Sequence, residues 1–385
     1  MNNPIGPLFA ADEQFTHQIA DTFAIVGTSD PAWTEKVCAM AMTRDGSLQM
    51  GFGLGRYPNR NVLDAYAAVS RGREQWTVRA SRSLASAPES TIVGPIHYEV
   101  IEPLRRIRFH LGPNEIQPIA FDVEFQSVVP PHLEDRTHIR DQFRVSADLV
   151  RYHQIGTASG WIEIDGERTE VEPDTWVSTR DHSWGVRYDV GPPATDRGDT
   201  VAFPAGVGFM MIWCPALMER TDGTQYGIHL HFTLVQMPGF EQKSVIASVE
   251  HPDGTIESIV DLQPHLRFDA GNRRLLGGTV TGTMGDGSLR EFRIEVLGDT
   301  GIQLGAGLYF GLDGHHHGEW RGELHLDGEH IADCRTPEAA RRLHQIRDTA
   351  VRVTDPVGGG VGWGNCQPIA AGPWPALGLE DDPWM

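Results

Sequence analysis

The stretch Val37-Cys38-Ala39-Met40-Ala41-Met42-Thr43-Arg44-Asp45-Gly46-Ser47-Leu48-Gln49-Met50-Gly51-Phe52 decides the class of fold. Val37, Ala39 and Ala41 alternate with other residues, Arg44-Asp45-Gly46-Ser47 turns the chain, and Leu48, Met50 and Phe52 resume the alternation. A period of two puts successive side chains on opposite faces of a strand. Asp-Gly between two such runs is a strong hairpin signal, because both central residues of a type I′ turn take positive φ. The dipeptide recurs at Asp165-Gly166, Asp222-Gly223, Asp253-Gly254, Asp286-Gly287, Asp313-Gly314 and Asp327-Gly328. Most of these lie beside β-rich runs, at 160–164, 228–235, 278–284, 290–296 and 319–326. Helical periodicity is nearly absent from about residue 30 to 335. The chain therefore reads as all-β, an antiparallel meander whose edges are best removed by closing it into barrels.

The flanks read differently. Phe15 and Ile19, at i,i+4 spacing within residues 8–24, suggest a short amphipathic helix. The segment around 195–208, with Asp196, Arg197, Gly198, Asp199 and Phe203-Pro204-Ala205-Gly206, predicts a crossing between two β-domains, 1–195 and 196–335. After Cys334, Thr336 is placed as an N-cap, Pro337 at the first helical position and Glu338 in the first turn. Ala339, Leu343, Ile346 and Ala350 would give this helix an apolar stripe. The third unit, 336–385, is then a helix with a Gly/Pro/Trp-rich tail. Trp363, Trp374 and Trp384 suggest that the tail docks on the body or on a second copy, which makes a homodimer a candidate.

Composition narrows the partners. The 385 residues exceed the usual single domain, and 40% hydrophobic content suits a substantial core. A formal net charge of -20 argues against nucleic acid or an anionic membrane, both of which select basic surfaces. No run approaches the ~20 apolar residues of a membrane-spanning helix. Cys38, Cys214, Cys334 and Cys366 are scattered without CxxC pairing, which fits reduced buried thiols. The first residues have neither a basic nor an apolar leader segment, so a cytoplasmic protein is expected.

The best site candidate is Trp176-Val177-Ser178-Thr179-Arg180-Asp181-His182-Ser183-Trp184-Gly185-Val186-Arg187. Unpaired buried charge is costly, so Arg, Asp and His side by side point to a half-buried strand end facing a cavity. Strand alternation puts Arg180, His182 and Trp184 on one face and Asp181, Ser183 and Gly185 on the other. If the strand ends near Asp181, a turn brings Asp181 and His182 to one pocket. Asp181 would then either orient a protonated His182 or act itself as general acid, and Trp184 would face a developing carbocation. The alternative is an Arg–Asp pair that pins two strands and a Trp that plugs a barrel end.

Histidines form a second polar group. In Gly314-His315-His316-His317-Gly318-Glu319-Trp320, His315, His317 and Glu319 would share one strand face, as would His229 and His231. Two such pairs on neighbouring strands can bind a divalent metal, but no helical H-E-x-x-H is present, and a metal-free polar pocket wall is the preferred reading. The glycine clusters at 51–55 and 358–364 lack the Lys-Ser/Thr of a P-loop and do not join a strand to a helix, so no nucleotide cofactor is expected. No G-x-S-x-G elbow occurs.

Thr179–Arg187 resembles the R-D-H-S-W-G-x-R signature of bacterial proteins related to the carotenoid 1,2-hydratase (hydroxyneurosporene synthase) superfamily. Tyr98-Glu99-Val100 with Pro103-Leu104, the stretch 156–160 with Ile164-Asp165-Gly166-Glu167, and Gly318-Glu319-Trp320-Arg321-Gly322-Glu323-Leu324 extend the resemblance over most of 30–335. It implies two tandem lipocalin-like antiparallel β-barrels, with the C-terminal helix and tail outside it. Relatives hydrate isolated alkenes or act as pericyclases on polyenes, and the motif's His and Trp match His182 and Trp184, with Asp181 or Asp189 as the nearby acid. The expectation is a lyase or isomerase without cofactor or bound metal, a hydratase, dehydratase or double-bond isomerase. Its substrate would be a hydrophobic small molecule such as a terpenoid, steroid or aromatic catabolite. Asp181, His182 and Trp184 would be catalytic, and Arg180, Arg187, Trp176, His229, His315 and Glu319 would bind substrate. The rivals are a non-catalytic carrier of lipophilic ligands and a metal enzyme built on the strand histidines.

Overall fold

The computed structural model describes residues 8–17, 20–141, 143–195 and 206–380. In the first half, strands β1 Trp33–Thr43, β2 Leu48–Tyr57, β3 Val62–Arg71, β4 Glu74–Ser83, β5 Ile92–Val93, β6 Ile96–Glu102 and β7 Arg106–Leu111 are followed by β8 Ile119–Ser127 and β9 His132–Leu133. Then come β10 Thr137–Asp141, β11 Arg144–Ile164, β12 Glu167–Val171 and β13 Trp176–Val186. The second half holds β14 Gly208–Arg220, β15 Gln225–Met237, β16 Phe240–Glu250, β17 Ile256–Phe268, β18 Leu275–Met284 and β19 Leu289–Gln303. It ends with β20 Leu324–Ile331, the helix α1 Pro337–Arg342, β21 Arg347–Asp355 and β22 Gly360–Ala371.

These strands make two large curled antiparallel sheets, the all-β architecture expected. One has 14 strands, in the order β20-β4-β3-β2-β1-β13-β11-β8-β7-β6-β5, with β9, β10 and β12 also paired to β11. It curls until β5 and β6 approach β3 and β4, but among the described residues no strand pairing closes the path. The other is a closed eight-stranded barrel, β14 to β19 followed by β21 and β22.

Alternation explains how they stack. On β1, Val37, Ala39 and Ala41 point into the concave core of the first sheet with Phe52, Phe109 and Phe125. Met40 and Met42 point the other way, into a second apolar layer with Val177, Leu217, Ile346 and Ile369. The barrel has its own interior around Phe232, Tyr226 and Phe292. A strand buried on both faces tends to a continuous hydrophobic run, which is why residues 37–42 of β1 are apolar on both faces and do not strictly alternate with polar ones.

Five of the Asp-Gly dipeptides turn between consecutive strands, at Asp45, Asp165, Asp222, Asp253 and Asp286. Of these five, only Asp165-Gly166 has positive φ at both residues. At the other four only the glycine does, and the aspartate Oδ1 accepts from the amide two residues on, as in Ser47 N to Asp45 Oδ1 at 2.9 Å. These are type I turns ending in a left-handed glycine, with an Asx bond in place of the second positive φ. Asp313-Gly314 lies in a loop, and Asp327-Gly328 lies inside β20.

The ends depart further from expectation. Near the N-terminus only a 3-10 turn, Ala10–Glu13, forms; Phe15 is fully exposed, and Ile19 lies outside the described residues. Most of the expected crossing, 196–205, also lies outside them. Strand β20 returns to the first sheet and pairs with β4, so the expected 196–335 unit is shared between the two sheets. The C-terminal helix begins as expected, with Thr336 Oγ1 accepting from Ala339 N at 3.1 Å, but it stops at Arg342. His344 and Gln345 take positive φ, and the chain re-enters the barrel as β21. Leu343, Ile346 and Ala350 are buried, but Ala350 is buried from a strand. The glycine-rich segment is no loose tail: β22 closes the barrel against β14, and Gly364 sits where a Cβ would be 2.0 Å from Pro215 O. The glycines are there for close backbone approach.

Candidate functional site

The site lies where the outer face of the first sheet meets the outer face of the barrel. Strand register places it. Across β1, β13 and β11, Lys36, Ser183 and Arg151 are neighbours, then Cys38, Asp181 and His153, then Met40, Thr179 and Ile155. From the barrel come Met211 and Trp213 on β14, His231 on β15, Asp348 on β21, and Gln367 and Ile369 on β22. Tyr309, Phe310 and His317 from the loop before β20 complete the wall. Together they enclose a cavity of about 110 Å³.

Its polar lining is ordered by charge. Asp181 Oδ1 accepts from Cys38 N at 3.1 Å, and Oδ2 lies 3.9 Å from Arg151 Nη1. Arg151 is clamped by Glu134 Oε2 at 2.8 and 2.5 Å. Lys36 is paired with the Nε2 of His317 at 2.8 Å and lies 3.9 Å from the Tyr309 ring centre. Burial, helped by the positive charge of Arg187, lowers Lys36 to about 8. Burial also lowers His317 to about 4, so a neutral imidazole accepts from the ammonium. The Cys38 thiol is pushed up to about 12 by burial and the Asp181 charge, which disfavours its thiolate form.

Asp348 is the decisive group. It is 2% exposed, and its Oδ1 accepts from Asn365 Nδ2 at 2.6 Å, while Asn365 Oδ1 accepts from the Thr179 hydroxyl. Burial raises its carboxyl to about 7; the Asn365 hydrogen bond opposes the shift and the Asp181 charge adds to it. A carboxylic acid that titrates near neutrality inside a cavity is equipped to deliver a proton.

The expected site residues separate. Asp181 and Arg187 line the cavity, Arg187 donating to Ser183 Oγ at 2.8 Å. His182 does not join them, because β13 continues through Val186 without the expected turn. On the opposite face His182 pairs with Glu35 at 3.0 Å and the Tyr152 hydroxyl at 3.1 Å. Trp184 is 38% exposed, edge-on to Tyr152 and His182. Arg180 is buried inside the first sheet, donating to Gln154, Tyr98 and Tyr152, and Trp176 is a core residue there. His315 and Glu319 pair at 3.1 Å, but in a loop, not on a strand beside His229. His229 is buried against His153, the ring centres 3.7 Å apart.

Sequence reasoning missed Lys36, Arg151, Asp348 and Tyr309. One signal was available for Lys36: the chain has two lysines, and this one sits in the apolar run that begins the fold. Asp348, in Arg347-Asp348-Thr349-Ala350-Val351, was hidden by the helical reading of its segment.

The chain belongs to a family of unknown function (DUF8625), whose family model matches residues 8–379. No curated protein matches it. Among solved structures it is similar to the ATTH-type protein NE1406 of Nitrosomonas europaea, at 15% identity and TM-score 0.49, covering 88% of this chain and 92% of that one. It is also similar to CghA with Sch210972, at 12% identity and TM-score 0.47, covering 88% of each chain. A third is kievitone hydratase from Nectria haematococca, at 9% identity and TM-score 0.40, covering 90% of this chain and 92% of that one. No helix among the described residues is long and apolar enough to cross a membrane.

Proposed function

We propose that the protein is a lyase or isomerase that protonates a C=C bond in an amphipathic, largely hydrophobic small molecule. Hydration, dehydration or double-bond migration all fit this class. The observation that carries the proposal is the buried Asp348 carboxyl, raised to about 7 in a cavity that also holds Asp181. Asp348 delivers the proton from its neutral form. Asp181, accepting from Cys38 N, supplies negative charge for the developing cation and takes the proton released when that cation is quenched, from the water that adds or from the neighbouring carbon; solvent then takes that proton and returns one to Asp348. Trp213, in the cavity lining, is the aromatic group assigned to stabilise that cation, the role sequence reading gave to Trp184, because the Tyr309 ring already holds the Lys36 ammonium. Lys36 and Arg187 orient a polar or anionic end of the substrate.

The test is incubation of the full chain with a panel of amphipathic alkenes and the matching alcohols, in heavy-oxygen water and separately in deuterium oxide. Enzyme-dependent label at carbon supports the reading, and Asp348→Asn should reduce its rate by about 10²–10⁴-fold. Full label incorporation by both Asp348→Asn and Asp181→Asn would overturn it.

A further inference from the structure

Behind the Arg151 wall of the cavity lies a second cluster that the proton chemistry does not use. Glu134, His153 and His229 are all buried, and each presents a ligand atom within 4.8 Å of the others. They come from three places: Glu134 follows β9, His153 is on β11, and His229 is on β15 of the barrel. We propose that they form a binding site for one divalent transition-metal ion of the zinc type, joining the first sheet to the barrel.

Geometry argues for it first. Glu134 Oε1 is 3.0 Å from His153 Nδ1 and 3.9 Å from His229 Nε2. Ligands about 2.0–2.1 Å from a tetrahedral zinc ion stand roughly 3.4 Å apart, between these two separations. Arg151 occupies the other oxygen of Glu134, so the carboxylate is held with Oε1 turned to the two imidazoles. Two nitrogens and one carboxylate oxygen are a common zinc donor set, and they leave one position for water.

Two further observations are independent of those distances. His229 is 0% exposed, and neither ring nitrogen has a hydrogen-bond partner among the described residues. A buried imidazole with both nitrogens unpartnered is expensive, and a metal bond to Nε2, the nitrogen turned toward Glu134, satisfies one of them. His153 presents its far nitrogen, Nε2, to Glu250 Oε1 at 2.7 Å, and Glu250 in turn accepts from the Ser248 hydroxyl at 2.8 Å. A carboxylate on the far nitrogen of a histidine is the arrangement that fixes the ring of a metal ligand. The ion takes the place of the Nδ1 proton that otherwise bridges His153 to Glu134. His231 stays outside the ligand set, because its Nδ1 faces Arg151 Nη2 at 3.3 Å.

The ion would hold Glu134, and through it Arg151, in place at the cavity wall. The test is direct. The purified full chain is stripped with a chelator and titrated with Zn2+ and Co2+, following bound metal by elemental analysis and Co2+ by its visible absorption. One ion per chain, with the intense bands of four-coordinate cobalt, is expected. His229→Ala should weaken binding at least 100-fold, and Glu250→Gln by about 10–100-fold. Far-UV circular dichroism of each variant checks folding, and if His229→Ala fails to fold, Glu250→Gln decides. Wild-type protein that binds no stoichiometric metal overturns the proposal, as does unchanged affinity in a folded variant. The readout is bound metal, so it stands or falls separately from catalysis.

Discussion

Replacing Asp348 with Asn should make the protein both more stable in alkali and less active. The folded carboxyl ionises at about 7, against an ordinary 3.8. The folded state therefore holds the proton more tightly than the unfolded state. Its contribution to stability is full below about pH 4, declines as pH rises, and is gone above about 7. At ~1.4 kcal/mol per tenfold change in proton affinity, the whole decline is about 4 kcal/mol, of which about 2–3 kcal/mol falls between pH 5 and 8. Asn cannot ionise, yet its Oδ1 can still accept from Asn365 Nδ2 as Asp348 does. Urea unfolding of both proteins at pH 5 and pH 8 isolates the effect, because titrating groups that do not interact with Asp348 cancel in the difference. Asp348→Asn should gain about 2–3 kcal/mol on wild type over that interval. Its turnover falls at the same time, a stability–activity trade at one buried group. A difference that does not change with pH would refute the assignment of Asp348 as a neutral acid.

Other outcomes follow from the two faces of β13. Asp181→Asn keeps an oxygen for Cys38 N, so stability by denaturant titration should stay within about 1 kcal/mol while the rate falls at least ~100-fold. His182→Ala, which loses its links to Glu35 and Tyr152, should cost about 1–2 kcal/mol and leave the rate within a few-fold; equal rate losses in the two variants would refute the face assignment. Arg180→Ala strands the Gln154 Oε1 and the Tyr98 hydroxyl in the core, while Tyr152 keeps its bond to His182, and should cost about 2–4 kcal/mol, read by urea unfolding. Gly185→Ala should cost about 2–3 kcal/mol, because φ is 132° and a Cβ would lie 2.2 Å from Asp148 O; an unchanged melting temperature would refute it. Wild-type activity should fall as pH rises through about 7, when Asp348 loses its proton, and a pH–rate profile checks this.

The amino-acid sequence by itself determined the all-β class, because period-two alternation and turn chemistry are local. Asp45-Gly46 and its counterparts announce hairpins without reference to the rest of the chain. Alternation would also set Asp181 and His182 on opposite faces of an unbroken strand, but that β13 runs on through Val186 instead of turning near Asp181 was decided only by the fold. The tertiary structure alone decided which face is the chemical one. Both faces of β1 and β13 are covered, and only packing against the barrel tells the strut at Arg180 from the cavity wall at Asp181. Asp348 and Lys36 come from strands at opposite ends of the chain, and what shifts their acidity is burial, which arises only when two sheets close over them. The reach of β20 back to the first sheet and the entry of the glycine-rich segment into the barrel are likewise long-range pairings. A pattern of period two says that a strand exists; its partner is set by burial across the whole fold.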